Sequence, residues 1–294
     1  MLAPIVIFAF NRSKPLQRMI ESLRSNALYE ESEKFVFIDG PRNDEDRRKI
    51  QEVLTIALEV TSNVSVSAVN KGLGHSIISG VSAVIEKYGK AIVLEDDLIC
   101  TPNFLSYMNQ ALDFYEQDQR IISVCGYGLK IKRPKNYDGD VYLSGRSSSW
   151  GWATWRDRWK SVDWEVRDWA EFSHDCKKIK EFNKNGSDMF SMLKGYMEGK
   201  NRSWAIRFCY NQYKTRRYSV CPFLSKVDND GFGEDATNCK QKYSRFKVNP
   251  DKIGSLTFAF VRDIKPNRKI LRESSRYHSI RMRAYSRIRN MIGI

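Results

Sequence analysis

Apolar residues run without interruption from Ile5 to Phe10, the pattern of a strand covered on both faces of a parallel sheet. Ser13 then caps a helix with Pro15 in its first turn, and Leu16, Met19, Ile20 and Leu23 recur on one helical face. Phe35 to Ile38 predicts a second strand closed by the Asp39-Gly40-Pro41 turn, and the acid-rich start at Asp44 leads a helix with Ile50, Val53, Leu54 and Ala57 on one side. Val64 to Val69 predicts a third strand, followed by a helix marked by Ile77, Ile78, Val81, Val84, Ile85 and Tyr88. Ala91 to Leu94 is a short, wholly apolar fourth strand. Thr101-Pro102 starts a fourth helix, and Ile121 to Cys125 is a fifth strand.

Strands alternating with helices through short loops predict right-handed crossovers and an open, mostly parallel, Rossmann-like α/β sheet with helices on both faces. Such sheets bind ligands beyond the carboxyl ends of their strands. Those ends carry Asn11-Arg12, Asp39, Asn70 to His75 and Glu95-Asp96-Asp97. After Ser144 the alternation is lost, and six of the seven tryptophans fall between Trp150 and Trp169. The organisation expected is a nucleotide-binding half over residues 1–125, an acceptor-side region of the same domain over 126–250, and a basic helical extension over 251–294.

An apolar strand running straight into three acids sets carboxylates where mutual repulsion is costly unless a cation or solvent offsets it. Mg²⁺ and Mn²⁺ take hard oxygen ligands, commonly one or two carboxylates with phosphate oxygens and water. The triplet is thus the candidate metal site, and a nucleotide diphosphate the candidate ligand beside it. Trp150, Trp152 and Trp155, with Gly151 among them, offer flat faces for sugar C–H groups, and Trp150, Gly151 and Trp152 are the candidate acceptor wall. The competing reading is that these aromatics fill core. Ser225 to Cys239 is polar, with Gly231 and Gly233, and reads as a mobile lid or an ordinary surface loop.

The run Val93-Leu94-Glu95-Asp96-Asp97-Leu98, with Pro102, Phe104 and Tyr107, resembles the N-acetylglucosaminyltransferase I family. Asn70 to Ile77 (N-x-G-L-x-x-S-I) and Ser149 to Trp155 (S-W-G-W-A-T-W) are similar to motifs of bacterial family-2-like glycosyltransferases of the GT-A fold. The resemblance spans about residues 4–240. It implies a metal-requiring enzyme that uses a UDP-sugar such as UDP-GlcNAc and inverts the anomeric centre. It implies a donor site of Arg12, Asp39, His75, Glu95 and Asp96, with Asp39 on uracil, Asp96 on ribose, and Asp97 as the direct ligand to Mn²⁺ or Mg²⁺. A guanidinium suits phosphate, and a carboxylate accepts the uracil N–H. The family's catalytic aspartate has no counterpart, because the matching segment, Ser203-Trp204-Ala205-Ile206-Arg207, puts Ser203 or Ala205 there. Asp188 is the substitute expected, with Glu198 or an acid within Asp228 to Asp235 as alternatives.

Composition alters this picture at one place. With 294 residues, 41% hydrophobic and 29% charged, the chain can bury a full core. Its net charge is +14, yet Asp251 to Ile294 holds eleven Lys/Arg against three Asp/Glu, so the body is only mildly basic. That distribution argues against a nucleic-acid partner. Five arginines and no acid occur from Arg276 to Ile294, with Tyr277, Ile280, Ala284, Ile288 and Met291 at helical spacing. A basic amphipathic helix of this kind suits an anionic membrane surface, and a lipid-linked saccharide acceptor would be met there. A solvated helix packed on its own domain is the other reading.

The six cysteines form no C-x-x-C pair and read as scattered thiols of a reducing cytosol. The first apolar run is a strand rather than a signal peptide, and no run is long enough to span a membrane. The expected location is cytoplasmic, peripheral at the inner face of the membrane. A nucleotidyltransferase would use a similar sheet and metal, but Asn11 to Pro15 lacks the glycines of a phosphate loop. A non-catalytic basic adaptor would not need acids gathered at successive strand ends.

Overall fold

The computed structural model describes residues 1–229, 244–248 and 250–292. The first half alternates as the hydrophobic pattern requires: β1 (Ile5–Ala9), α1 (Ser13–Arg24), β2 (Lys34–Ile38), α2 (Asp44–Leu58), β3 (Val64–Val66), α3 (Leu73–Tyr88) and β4 (Lys90–Glu95). β3, β2, β1 and β4 lie side by side and parallel, with Ile5 opposite both Lys34 and Ile92. Side chains alternate across a strand. Ile5, Ile7, Ile92 and Leu94 therefore face α1 and α2, while Val6, Phe8, Ala91 and Val93 face α3. Both faces of the sheet are covered. Local signals set the helix limits: the Asn43 side chain accepts from the Asp46 N–H at 2.8 Å to cap α2, and Gly89 at φ +78° ends α3.

The third strand stops at Val66, short of the expected Val69, because residues 67–69 cross directly over Gly40. A Cβ there would lie 2.3 Å from the Val69 carbonyl carbon. After the triplet the chain forms a short strand that the pattern did not predict, β5 (Leu98–Cys100), so α4 (Phe104–Tyr115) begins three residues beyond Thr101. β6 (Ile121–Cys125) forms as expected, but it is not the neighbour of β4.

The chain continues through β7 (Val141–Ser144), β8 (Trp152–Trp155), α5 (Arg156–Lys160), α6 (Trp169–Phe172), α7 (Cys176–Phe182), α8 (Met189–Met197), α9 (Trp204–Lys214), β9 (Tyr218–Pro222) and β10 (Val227–Asn229). β8 inserts antiparallel between β4 and β6, giving one eight-stranded sheet of order β3-β2-β1-β4-β8-β6-β9-β7. The sheet therefore runs on well past residue 125. β10 pairs antiparallel with β5 in a separate two-stranded ribbon.

The basic C-terminal region packs onto this body. Phe258 and Phe260 meet Tyr107 at 5.4 and 6.0 Å. Instead of one helix from Arg276, two form: α10 (Arg268–Tyr277) and α11 (Ile280–Ile292), broken at His278-Ser279. Ile270 anchors α10 in the core. Among the described residues, Cys100, Cys125, Cys176, Cys209 and Cys221 are free thiols, all buried except Cys176; Cys239 lies outside them. No helix of the described residues is long and apolar enough to cross a membrane.

Candidate active site

The carboxyl ends of β1, β2 and β4 open onto a cleft of about 270 Å³. It gathers Arg12, Asp39, Glu95, Asp96 and Asp97, together with Arg42 and Ser76. Parallel pairing accounts for the gathering. Phe8 in β1 is in register with Glu95 in β4, so Arg12 and the triplet emerge on the same side.

The Arg12 guanidinium donates to Asp96 Oδ1 and, at 3.1 Å, to Asp97 Oδ2. Burial works against the charge on Arg12, yet the two aspartates hold its proton more firmly than usual. Burial raises Glu95 to about 8, with Asp97 and Asp96 adding repulsion. It also raises Asp96 to about 6 against the pull of Arg12. The triplet is therefore a crowded acidic site that, among the described residues, the Arg12 guanidinium offsets, and which a further cation would relieve.

Asp39 is buried and already occupied: its Oδ1 accepts from the Gly40 and Lys71 amides, both at 2.9 Å, and its Oδ2 from the Gly72 amide at 2.8 Å. It thereby pins the Asn70-Lys71-Gly72 loop against β2. Asn70 closes the same turn by donating to the Gly40 carbonyl at 2.9 Å. Nearby, Asn11 donates to Asp46 at 2.6 Å, and Arg42 to the same carboxylate at 2.7 Å.

β10 reaches the cleft from the other end of the sequence. Asp228 lies opposite Ile99 and Asn229 opposite Leu98, and the Asn229 amide donates to Asp97 Oδ1 at 3.4 Å. Neighbouring strand residues point to opposite faces, so Asp228 is turned the other way. There it contributes to the field at Tyr127, whose phenol is raised by burial first, then by Tyr277 and Asp228. Tyr127 meets the Trp150 ring at 4.7 Å, and both line a second cavity of about 290 Å³ with Arg146, Ser147 to Ser149 and His278.

Other residues expected at the site lie elsewhere. His75 is exposed, because α3 turns Leu73 and Ser76 toward the cleft and the intervening position outward. Ser76, the next residue of the same motif, is the one that the helical face brings to the cleft. Trp152 is not a wall. It is 1% exposed and stacked between Trp204 at 4.8 Å and Trp159 at 5.5 Å, as a central-strand residue must be. Gly151, at φ +57°, is packed against Phe104 and Val227 rather than open to a ligand. Trp150 does line a cavity, the second one.

Asp188, the expected base, is bound to Arg146 at 2.7 and 3.2 Å and is not among the residues that line the cleft. Burial opposes its charge, but Arg146 keeps it below the usual carboxylate range, which ill suits a proton acceptor. Glu198 is exposed and paired with Lys200 at 2.6 Å. Ser203 caps α9, accepting from the Ile206 N–H at 3.3 Å. Of the alternatives that remain, Asp228 is beside the site, and residues 230–239, with Gly231, Gly233 and Asp235, lie outside the described residues. Asn229 was missed altogether: nothing local in the sequence pairs a strand near residue 228 with one near residue 99.

An open Rossmann-like sheet with an acidic, arginine-bearing cleft beyond the carboxyl ends of its parallel strands has its candidate site where sheets of this kind bind ligands. The chain belongs to glycosyl transferase family 2, whose sequence model matches residues 5–219. Comparison with curated protein sequences finds no match. Among solved structures it is similar to GalNAc-T7 with UDP, GalNAc and Mn²⁺, at 12% identity and a TM-score of 0.45, over 78% of this chain and 43% of that one. It is also similar to S. aureus TarS 1-349, at 12% identity and a TM-score of 0.43, over 76% and 58%. A third is the mannosyltransferase PcManGT from Pyrobaculum calidifontis in complex with GDP-Man and Mn²⁺, at 10% identity and a TM-score of 0.36, over 53% and 46%. The chain spans about half the length of these structures.

Proposed function

We propose that this chain moves a sugar from a nucleotide-sugar, a UDP-sugar such as UDP-GlcNAc foremost, to a glycan or lipid-linked saccharide, with inversion at the anomeric carbon. The observation that carries the reading is the convergence of Arg12, Asp39, Asp96 and Asp97 on one cleft beyond the parallel strands of a family 2 chain. Asp39 and the loop it pins shape the nucleoside end, Asp96 lies toward the ribose, and Arg12 faces the diphosphate.

The donor set suits a hard divalent cation. Among the described residues no three Asp, Glu, His or Cys side chains enclose a complete metal cage, so Asp97 would hold Mn²⁺ or Mg²⁺ with phosphate and water oxygens completing the shell. When bound, such an ion supplies Lewis-acid stabilisation to the departing diphosphate. Arg12 adds fixed positive charge on the same side.

Asp228 replaces Asp188 as the base that takes the acceptor proton. Its strand neighbour Asn229 touches Asp97, and its own charge acts on Tyr127 of the Trp150 cavity, where an acceptor sugar would lie against the ring. The Gly-poor Asn11 to Pro15 loop disfavours the nucleotidyltransferase alternative.

The test is a screen of nucleotide-sugars for Mn²⁺-dependent donor hydrolysis. One UDP-sugar is expected to be cleaved, and Asp97→Ala to lower that rate at least about a hundredfold, the scale of losing a major electrostatic element. If no donor is cleaved, or the Asp97 variant matches the parent, the reading is wrong.

A further inference from the structure

A larger cavity, of about 1080 Å³, lies on the opposite edge of the sheet from the donor cleft. Strand direction fixes its position. β8 is antiparallel to both β4 and β6, and β9 is parallel to β6, so β9 runs the same way as β4. The cavity is at Tyr218, where β9 begins, whereas the carboxylate triplet follows the end of β4.

Among the described residues, seven basic and three acidic side chains line this cavity. Two of the cations are offset locally: Lys214 is 3.0 Å from Asp168, and Lys178 is 2.6 Å from Glu171. Lys184, Arg216, Arg217, Arg268 and Arg272 have no carboxylate within ion-pair reach among the described residues, and only Glu181 is left to oppose them. Such an excess on a concave surface concentrates field lines and favours an anion there.

Two features indicate that the arrangement is built rather than incidental. On α10, Arg268, Leu271, Arg272 and Ser275 recur at helical spacing along the cavity, while Ile270 and Ser274 are buried on the other side. The core contact of α10 therefore fixes both arginines toward the opening. Arg216 holds a left-handed backbone at φ 53°, which residues with a side chain avoid.

We propose that this cavity binds an anionic saccharide chain bearing phosphate or carboxylate groups at intervals. The volume exceeds the usual range for a single small molecule, so several linked units fit better than one. The half-buried Tyr213 and Tyr218 rings offer apolar faces to sugar carbons, and Asn185 and Ser275 offer polar groups to hydroxyls. A flat bilayer surface cannot follow a concave wall. Choosing a saccharide over another polyanion rests on the transferase reading; the anion preference does not.

Titration calorimetry on the full chain would use four oligomers of equal length: a phosphodiester-linked saccharide, a uronate, a neutral glucan and a single-stranded oligonucleotide. Vesicles rich in phosphatidylserine form a further arm. The phosphodiester or the uronate chain, whichever is the source, is expected to bind with an affinity that falls with added salt, and the neutral glucan not to bind. Arg268→Gln with Arg272→Gln should weaken binding about tenfold. Arg216→Gly should also weaken it while leaving the melting temperature unchanged or higher, because glycine accepts the left-handed backbone.

Unaltered affinity in both variants overturns the proposal. So does equal binding of the glucan, or a loss confined to the oligonucleotide or the vesicles. Donor hydrolysis on the same samples separates the two readings: its presence without charge-dependent binding removes only this proposal, and binding without hydrolysis removes only the transferase.

Discussion

His278 is pushed down to about 3, by burial first and then by Arg146, with Arg245 and Arg283 adding to the effect and Asp188 opposing it. Its ring packs on Phe246 at 5.2 Å, and its Nδ1 has no hydrogen-bond partner among the described residues. The unfolded chain takes up the His278 proton near the ordinary value of about 6.5, but the native state refuses it down to about 3. Between those values acidification favours unfolding, by up to ~1.4 kcal/mol per pH unit from this group. Above the upper value it has no effect. Urea midpoints at pH 7 and pH 5 should therefore fall less in His278→Gln than in the parent, and equal slopes would refute the assignment. Trp152 is a second residue whose role follows from burial. Removing a ring stacked between Trp159 and Trp204 leaves a cavity, and Trp152→Ala is expected to cost about 3–5 kcal/mol in chemical denaturation. Neither role was legible in the sequence. A tryptophan reads alike as ligand platform and as core until its neighbours are known, and Asp188 reads as a free acid until Arg146 is found beside it.

Elements with long, regular apolar spacing were legible because their burial pattern is periodic: β1, α1, β2, α2, α3, β4 and β6 stand where the pattern placed them, within a few residues. Of the short elements, β3 was legible only with its end overrun, and β5 and β8 were not. β5, of three residues, and β8, of four, carry too few positions to establish a period. What makes β8 a strand is its place between β4 and β6, and that pairing is long-range. The turn entering β8 is the sensitive point. Gly151 takes φ +57°, and a Cβ there would lie 2.9 Å from Val227 Cγ1 and 3.1 Å from Phe104 Cε2. Gly151→Ala thus combines a disfavoured backbone with overpacking, and a loss of about 2–4 kcal/mol is expected. The Val227 contact also links this turn to β10, which carries Asp228. Asp228→Asn tests that ribbon by a different measurement: kcat for transfer should fall about 10²–10⁴-fold with donor affinity nearly unchanged. Equal losses in kcat and in donor binding would instead mark Asp228 as part of the donor cleft.

At the scale of the whole molecule, the uneven charge read from the sequence acquires a shape. α10 is anchored through Ile270, but α11 carries Ile280, Ile288, Met291 and Ile292 at 56–85% exposure, beside Arg281 and Arg287. Exposed isoleucines interleaved with arginines suit the headgroup region of an anionic bilayer, where each basic residue contributes about 1 kcal/mol. Arg283 reaches back to Ser187 at 3.3 Å and Ser286 is buried, so one face of the helix lies on the body while the face with Ile280, Ile288 and Met291 is exposed. This supports the proposed meeting with a lipid-linked acceptor. Deleting residues 280–294 should abolish sedimentation with phosphatidylserine vesicles and slow transfer to a vesicle-borne acceptor, yet leave transfer to a soluble acceptor within about twofold, because α11 touches neither cavity lined by Asp97 nor by Trp150. The break at His278-Ser279 makes the deletion clean, since α10 keeps its core contact. If the shortened chain still sediments with vesicles, the attraction resides in the basic body instead. If it loses turnover on the soluble acceptor as well, α11 serves the fold rather than the membrane.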